Sequence, residues 1–224
     1  MDASVSDAPP RRRERPTRAD GMATRERVLK AAAALFAAGG YEATSLRQIA
    51  AASEIDLATL KYHFGDKQAL FAEVYRLGHQ GFLALIDPFI KELRSVSSAL
   101  EMRGLIRSFT ERLQSYLYQS LPFTRMMLFR ILENSADFIG LEEELQGAAL
   151  KMFDSALREL AARGVIRRID TRAVLALLMT ALPMWVVTGQ TKPTWLGLPR
   201  PDSVEGKERG ARFLQDVLER LLLK

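Results

Sequence analysis

Residues 44–71, T-S-L-R-Q-I-A-A-A-S-E-I-D-L-A-T-L-K-Y-H-F-G-D-K-Q-A-L-F, constrain the fold of this chain more than any other stretch. Ser45 with Gln48 three positions on has the capping-box pattern: the hydroxyl accepts from a free first-turn N–H and the amide reaches back to the cap. A short helix is expected from that point, with Leu46, Ile49 and Ala50 at three- and four-residue steps burying one stripe. Ser53-Glu54-Ile55 then breaks the period with a single apolar plug, and Asp56 reads as the N-cap of a second helix through Tyr62. Two short helices joined by a turn of three or four residues make a helix-turn-helix.

In the second helix Leu57 and Leu60 are expected to face the core. Thr59, Lys61, Tyr62 and His63 then crowd the outer side with a hydroxyl, an ammonium, a phenol and an imidazole. That set suits a major groove, where side chains meet base edges and phosphates. The same residues also fit an ordinary solvated helix that ends at His63 and Phe64, and helix-turn-helix patterns occur in proteins that never touch DNA.

Residues 24–71 resemble the DNA-binding domain of the tetracycline-repressor (TetR) family of bacterial transcription regulators. The resemblance rests on an amphipathic first helix ending in Phe36-Ala37-Ala38-Gly39-Gly40-Tyr41, on Ala43-Thr44-Ser45-Leu46 and Ile49-Ala50, and on Thr59-Leu60-Lys61-Tyr62-His63-Phe64-Gly65-Asp66-Lys67 leading to Ala69-Leu70. Two positions depart from the usual pattern: Glu54 stands where the family commonly has Gly, and Lys61 where Tyr is frequent. A non-Gly residue can occupy such a turn at modest strain. The resemblance implies a dimeric transcription regulator, usually a repressor, that binds a palindromic double-stranded operator and responds to a small-molecule effector. Thr59, Lys61, Tyr62 and His63 would then meet bases or nearby phosphates, and Thr24, Arg25, Ser45, Arg47 and Lys67 would hold the register.

The expected fold class is all-α. A three-helix helix-turn-helix DNA-binding domain (22–71) follows a disordered basic arm (1–21) and precedes a larger helical effector-binding and dimerisation domain (72–224). The arm carries Arg11, Arg12, Arg13, Arg15 and Arg18 among Pro9, Pro10 and Pro16, a composition without an apolar period. It reads either as a set of extra phosphate or minor-groove contacts or as a solvated tail. No apolar run follows the arginines, as a signal peptide would require. Bulk charge decides nothing, because residues 1–70 hold 11 Lys and Arg against 9 Asp and Glu, and the rest 21 against 18. Cysteine is absent, which excludes disulfides and thiolate chemistry and is compatible with a cytoplasmic location.

From 24 to 38, Val28, Leu29, Ala32, Leu35 and Phe36 keep helical spacing, with Gly39-Gly40 as the stop. Gly65-Asp66 is expected to cap a fourth helix in which Leu70, Phe71, Val74, Leu77 and Phe82 point inward until Asp87-Pro88. Helices are then expected near 89–94, 98–119, 122–135, 138–163, 170–190 and 205–223, punctuated by Pro122, Gly140, Gly164 and a loop over 191–203. The stretch 173–187 is almost wholly apolar but short of the roughly 20 residues needed to span a bilayer. The last helix carries Phe213, Leu214, Val217, Leu218, Leu221 and Leu222. Either helix would be satisfied by its own core, while the resemblance implies that the last two helices form a two-fold, four-helix dimer interface.

Phe109, Tyr116, Phe123, Met126, Met127, Phe129, Met152, Met179, Met184 and Trp185 supply the aromatic and thioether groups that suit an adaptable apolar ligand cavity, and equally those of an ordinary core. The two histidines, His63 and His79, are not arranged as metal ligands. No H-E-x-x-H, Gly-rich phosphate loop or cysteine pair is present, so neither a metal nor a cofactor is expected. Glu142, Glu143 and Glu144 sit at a helix start, where the dipole favours them. Two other readings remain open: a helical ligand-binding or protein-interaction module that does not bind DNA, and a helical enzyme without a recognisable motif.

Overall fold

The computed structural model describes residues 18–133, 138–188, 200 and 202–224, with side chains from Gly21 onward. Among them there is no strand, and the chain is all-α. The helices are α1 (Arg18–Gly39), α2 (Leu46–Ala52), α3 (Leu57–Phe64), α4 (Lys67–Ser95), α5 (Ala99–Gln119), α6 (Leu121–Glu133), α7 (Ile139–Ala162), α8 (Thr171–Thr188) and α9 (Val204–Leu222). Most of the basic arm and most of the 191–203 loop lie outside the described residues. Residues 18–21, expected as the end of the arm, are instead the start of α1. Nothing after Pro16 breaks a helix, and the lone Gly21 costs only about 1 kcal/mol there.

The N-terminal head is built on Val28, Ala32 and Phe36 of α1, which pack with Ile49, Leu60, Phe64 and Leu70. Gly40 (φ 79°) ends α1 in the left-handed region, and its N–H donates to the Phe36 carbonyl at 2.9 Å. The head is tied to the body by α6. Arg125 Nε donates to the Ala37 carbonyl at 2.7 Å, and Glu133 Oε1 accepts from the Tyr41 N–H at 2.9 Å. Behind these bonds the Tyr41 ring meets Phe71 and Phe138 edge-on at 5.2 and 4.8 Å.

The fourth helix departs from expectation at Pro88, which it passes without ending. The missing N–H and the ring clash cost about 3 kcal/mol. Phe89, Ile90 and Leu93 lie just beyond and are all buried. At about 1.5–3 kcal/mol each, their burial outweighs the penalty, while Pro88 itself faces solvent. Tyr75, His79, Phe82 and Ile86 hold the inner stripe. Leu77, expected inward, falls on the other side and is 48% exposed. Pro122 is the second residue of α6, where its fixed φ is tolerated, and Gly140 lies inside α7 rather than before it. Gly164 (φ 74°) does stop α7: its N–H reaches the Ala161 carbonyl, and that of Val165 the Leu160 carbonyl.

In the body, α5 runs against α9, and α8 packs against α5, α6, α7 and α9. Among the described residues α8 alone is long and apolar enough to cross a bilayer by length and composition. Its Val174, Leu178, Leu182 and Val186 are buried within the chain's own core. The last helix divides along its length, with Leu214, Leu218 and Leu222 buried and Phe213, Val217 and Leu221 on the outer side.

Candidate functional site

Both caps of the helix-turn-helix form as the sequence implies. Ser45 accepts from the Gln48 N–H at 3.3 Å, and Gln48 Oε1 accepts from the Ser45 N–H at 2.8 Å. Asp56 Oδ1 accepts from the Thr59 N–H at 2.7 Å, and Oδ2 from the Thr59 hydroxyl at 2.8 Å. These bonds hold the Asp56 carboxyl below its ordinary value. A lowered value means that the cap is fully present above the ordinary carboxylate range and is lost only as the pH falls through the lowered value.

Between the helices, Glu54 is the one non-glycine residue with positive φ (56°) among the described residues. The turn is held by Ile55 N–H to the Ala50 carbonyl (3.1 Å) and by the Ser53 hydroxyl to the Ile49 carbonyl (2.7 Å). A left-handed non-glycine residue costs about 1–3 kcal/mol, and glycine returns about 0.4–1 kcal/mol of that through the unfolded chain. Glu54→Gly is therefore expected to stabilise the protein by about 1 kcal/mol, seen as a higher urea midpoint. An unchanged midpoint would mean that the turn is unstrained.

Leu60 and Phe64 of α3 are buried and Leu57 is half-buried, so α3 sits on the head by one face. The opposite face carries Ala58, Lys61, Tyr62 and His63, all exposed, with Tyr62 at 86%. The Tyr62 and His63 rings meet edge-on at 5.3 Å. On α2, Arg47 is exposed as well.

The other residues singled out in the sequence are engaged within the head. The Thr59 hydroxyl is committed to Asp56, and the Ser45 hydroxyl donates to Gln48 Oε1 at 2.8 Å. Arg25 pairs with Glu73 and lies 5.2 Å from the Phe64 ring centroid, and Thr24 Oγ1 is the acceptor for Arg27. Lys67, expected to meet a phosphate, turns back: its Nζ donates to the Tyr41 carbonyl at 3.1 Å and lies 4.1 Å from that ring's centroid. An ammonium over an aromatic face, with a carbonyl in reach, is favoured there. Ala58 belongs to the outward face and was missed, because a methyl group carries no chemical signal in a sequence.

In the body, a cavity of about 50 Å3 lies between α4, α5, α7 and α8. Of the residues proposed for a ligand pocket, Phe109 and Met179 line it. Phe123, Met126 and Met127 are buried elsewhere, Met152 is exposed, and the Tyr116 hydroxyl is bound to the Gly78 carbonyl at 2.6 Å. Trp185 packs over Gly210 of α9, where a Cβ would fall 2.9 Å from the indole Cε2. Residue type names core-forming groups, whereas the rotation of each helix decides which of them face a void. The cavity's two polar lining residues, His79 and Gln146, were overlooked. The available signal was a histidine in the apolar stripe of α4, four residues after Tyr75. Burial pushes the His79 imidazole below its ordinary value.

A model of "Bacterial regulatory proteins, tetR family" matches residues 28–74, from the middle of α1 into α4. The HTH-type transcriptional regulator AcrR of Shigella flexneri is 24% identical over 220 residues, spanning 93% of this chain and 94% of that regulator. Among solved structures, the TetR family transcriptional regulator PfmR from Thermus thermophilus is similar with a TM-score of 0.62 at 26% identity, over 89% of this chain and 97% of that one. The ketosteroid transcriptional regulator KstR2 of Mycobacterium tuberculosis shares the fold, with a TM-score of 0.64 at 20% identity, over 89% and 95% of the two chains.

Proposed function

Because the chain belongs to the tetR family of bacterial regulatory proteins, whose members are DNA-binding regulators rather than enzymes, we propose that it is a cytoplasmic, homodimeric repressor released from a palindromic operator by a small molecule. The observation that carries this reading is the outward face of α3, where Lys61, Tyr62 and His63 stand exposed over a buried Leu60 and Phe64. Residues 22–71 would form the reading head and 72–224 the effector-binding and dimerising body. Lys61, Tyr62 and His63 would meet base edges, with Arg47 on the flanking phosphates. Thr24, Arg25, Ser45, Thr59 and Lys67 would act by fixing α1, α2 and α4 around α3.

Dimerisation through α8 and α9 is supported by the outer residues Met184, Phe213, Val217 and Leu221. Two heads entering successive major grooves on one face must stand about 34–36 Å apart. Helix α4 has 29 residues and so runs for about 43 Å, from the Lys67 clamp past His79 at the cavity. A ligand that prefers a different tilt of α4 would change the head spacing and release DNA by population shift.

A gel shift with the DNA flanking the coding sequence tests the reading, followed by elution of bound fragments with metabolite fractions. Palindrome-dependent binding is expected. Its absence at moderate salt would favour a module that does not bind DNA. Lys61→Ala should weaken the cognate site by about 1–3 kcal/mol and relax selectivity at one base pair. Uniform weakening across sequences with a shallower salt slope would make Lys61 a phosphate contact instead.

A further inference from the structure

We propose that the cavity between α4 and α8 takes an uncharged, mainly apolar molecule that presents one hydroxyl or carbonyl group to His79 and enters between α7 and α8. This rests on the reading of the body as an effector domain and names the class of effector. His79 is 2% exposed, and among the described residues neither ring nitrogen has a hydrogen-bond partner. Its ring neighbours are Phe82 at 5.9 Å and Phe123 at 6.4 Å. Burial pushes the imidazole below its ordinary value, which favours the neutral ring, with one N–H donor and one bare nitrogen acceptor. A buried polar group without a partner is costly, and a ligand hydroxyl or carbonyl supplies what the protein does not.

The charge class of the part that enters the inner cavity follows from that cavity's walls. Apart from His79 and Gln146, the lining is hydrocarbon, aromatic ring and thioether, with no ionised side chain. An ionised ligand would lose its hydration there without a counter-charge. The route follows from a second recess: a groove of about 490 Å3 between α7 and α8 shares Gln146, Leu150, Leu175 and Met179 with the cavity, and its remaining walls include Lys151, Asp154 and Arg172, whose charges belong to the entrance and not to the inner cavity. The inner cavity alone holds little more than a polar head and its first atoms. The groove brings the combined space into the range of ordinary ligand sites, and the unbranched Met179 is suited to move aside.

The test uses three matched probes, 4-propylphenol, propylbenzene and 4-propylbenzoate, titrated calorimetrically into the full chain. Wild type is expected to bind the phenol about tenfold more tightly than propylbenzene, the worth of one buried hydrogen bond, and the benzoate most weakly. His79→Leu should erase the difference between phenol and propylbenzene, and His79→Gln should keep part of it. Circular dichroism and operator binding check that both variants fold. A phenol preference that survives in His79→Leu, a benzoate that binds tightest, or no binding of any probe to wild type overturns the proposal. If metabolite fractions release the operator from His79→Leu as well as from wild type, the anchor falls while the effector reading stands. If they release it from neither, and the probes still separate as expected, the effector reading falls and the site remains.

Discussion

Phe213→Asp is expected to leave the fold intact, convert the dimer into a monomer and weaken binding to a palindromic operator by about 10²–10⁴-fold. The side chain is 64% exposed on α9, so its own chain gains little from it. In the proposed dimer Phe213, Val217, Leu221 and Met184 would be buried against the same residues of a second copy, each apolar side chain contributing about 1.5–3 kcal/mol. A carboxylate at that place loses hydration without a partner, and the two-fold axis counts the penalty twice. The loss on DNA comes from linkage: once two heads are no longer held together, the second half-site ceases to be an intramolecular event. Sedimentation and fluorescence anisotropy with a palindromic duplex measure both effects. A variant that stays dimeric, or a monomer that binds with unchanged affinity, would remove α8 and α9 from the interface.

Gly78→Ala is expected to destabilise the protein by about 2–4 kcal/mol, lowering the melting temperature by roughly 5–10 °C. Alanine is the better helix former by about 1 kcal/mol, so an isolated α4 would gain. Here a Cβ would lie 2.6 Å from Phe123 Cγ and 2.9 Å from its Cβ. The ring cannot swing away, since Tyr75, His79 and Tyr116 surround it at 5.4, 6.4 and 6.5 Å. The helices α4 and α6 must therefore separate, which also strains the Tyr116 bond to the Gly78 carbonyl. Adding Phe123→Leu should recover part of the loss in thermal melts. A double variant no more stable than Gly78→Ala alone would place the strain elsewhere.

Much of the head was legible because its signals act within four residues. Ser45, Asp56 and Asp66 each accept from an N–H three positions ahead, and Gly40 and Gly65 take the positive φ that ends α1 and α3. Such bonds depend on chain order alone, so type and spacing suffice to place α1, α2, α3 and the turn at Glu54. The outward set on α3 follows from the same periodicity, given Leu60 and Phe64 inside.

Other features had no local signature. Pro88 looked like a terminus, and α4 passes through it because Phe89, Ile90 and Leu93 find cover on distant helices. Lys67 and Arg25 looked like phosphate contacts, yet Lys67 binds Tyr41, 26 positions away, and Arg25 pairs with Glu73. Of the side chains whose type suits a ligand pocket, Phe109 and Met179 reach the cavity, while Phe123, Met126, Met127 and Phe129 belong to α6, which does not border it, and the rest fall on other faces or turns of the lining helices. The sequence by itself determined the capped starts of α2, α3 and α4 and the glycine-marked ends of α1 and α3, since those free energies are set by hydrogen bonds a turn apart. Tertiary structure alone decided which faces meet, and so where His79 sits, because that depends on burial summed over segments far apart in the chain.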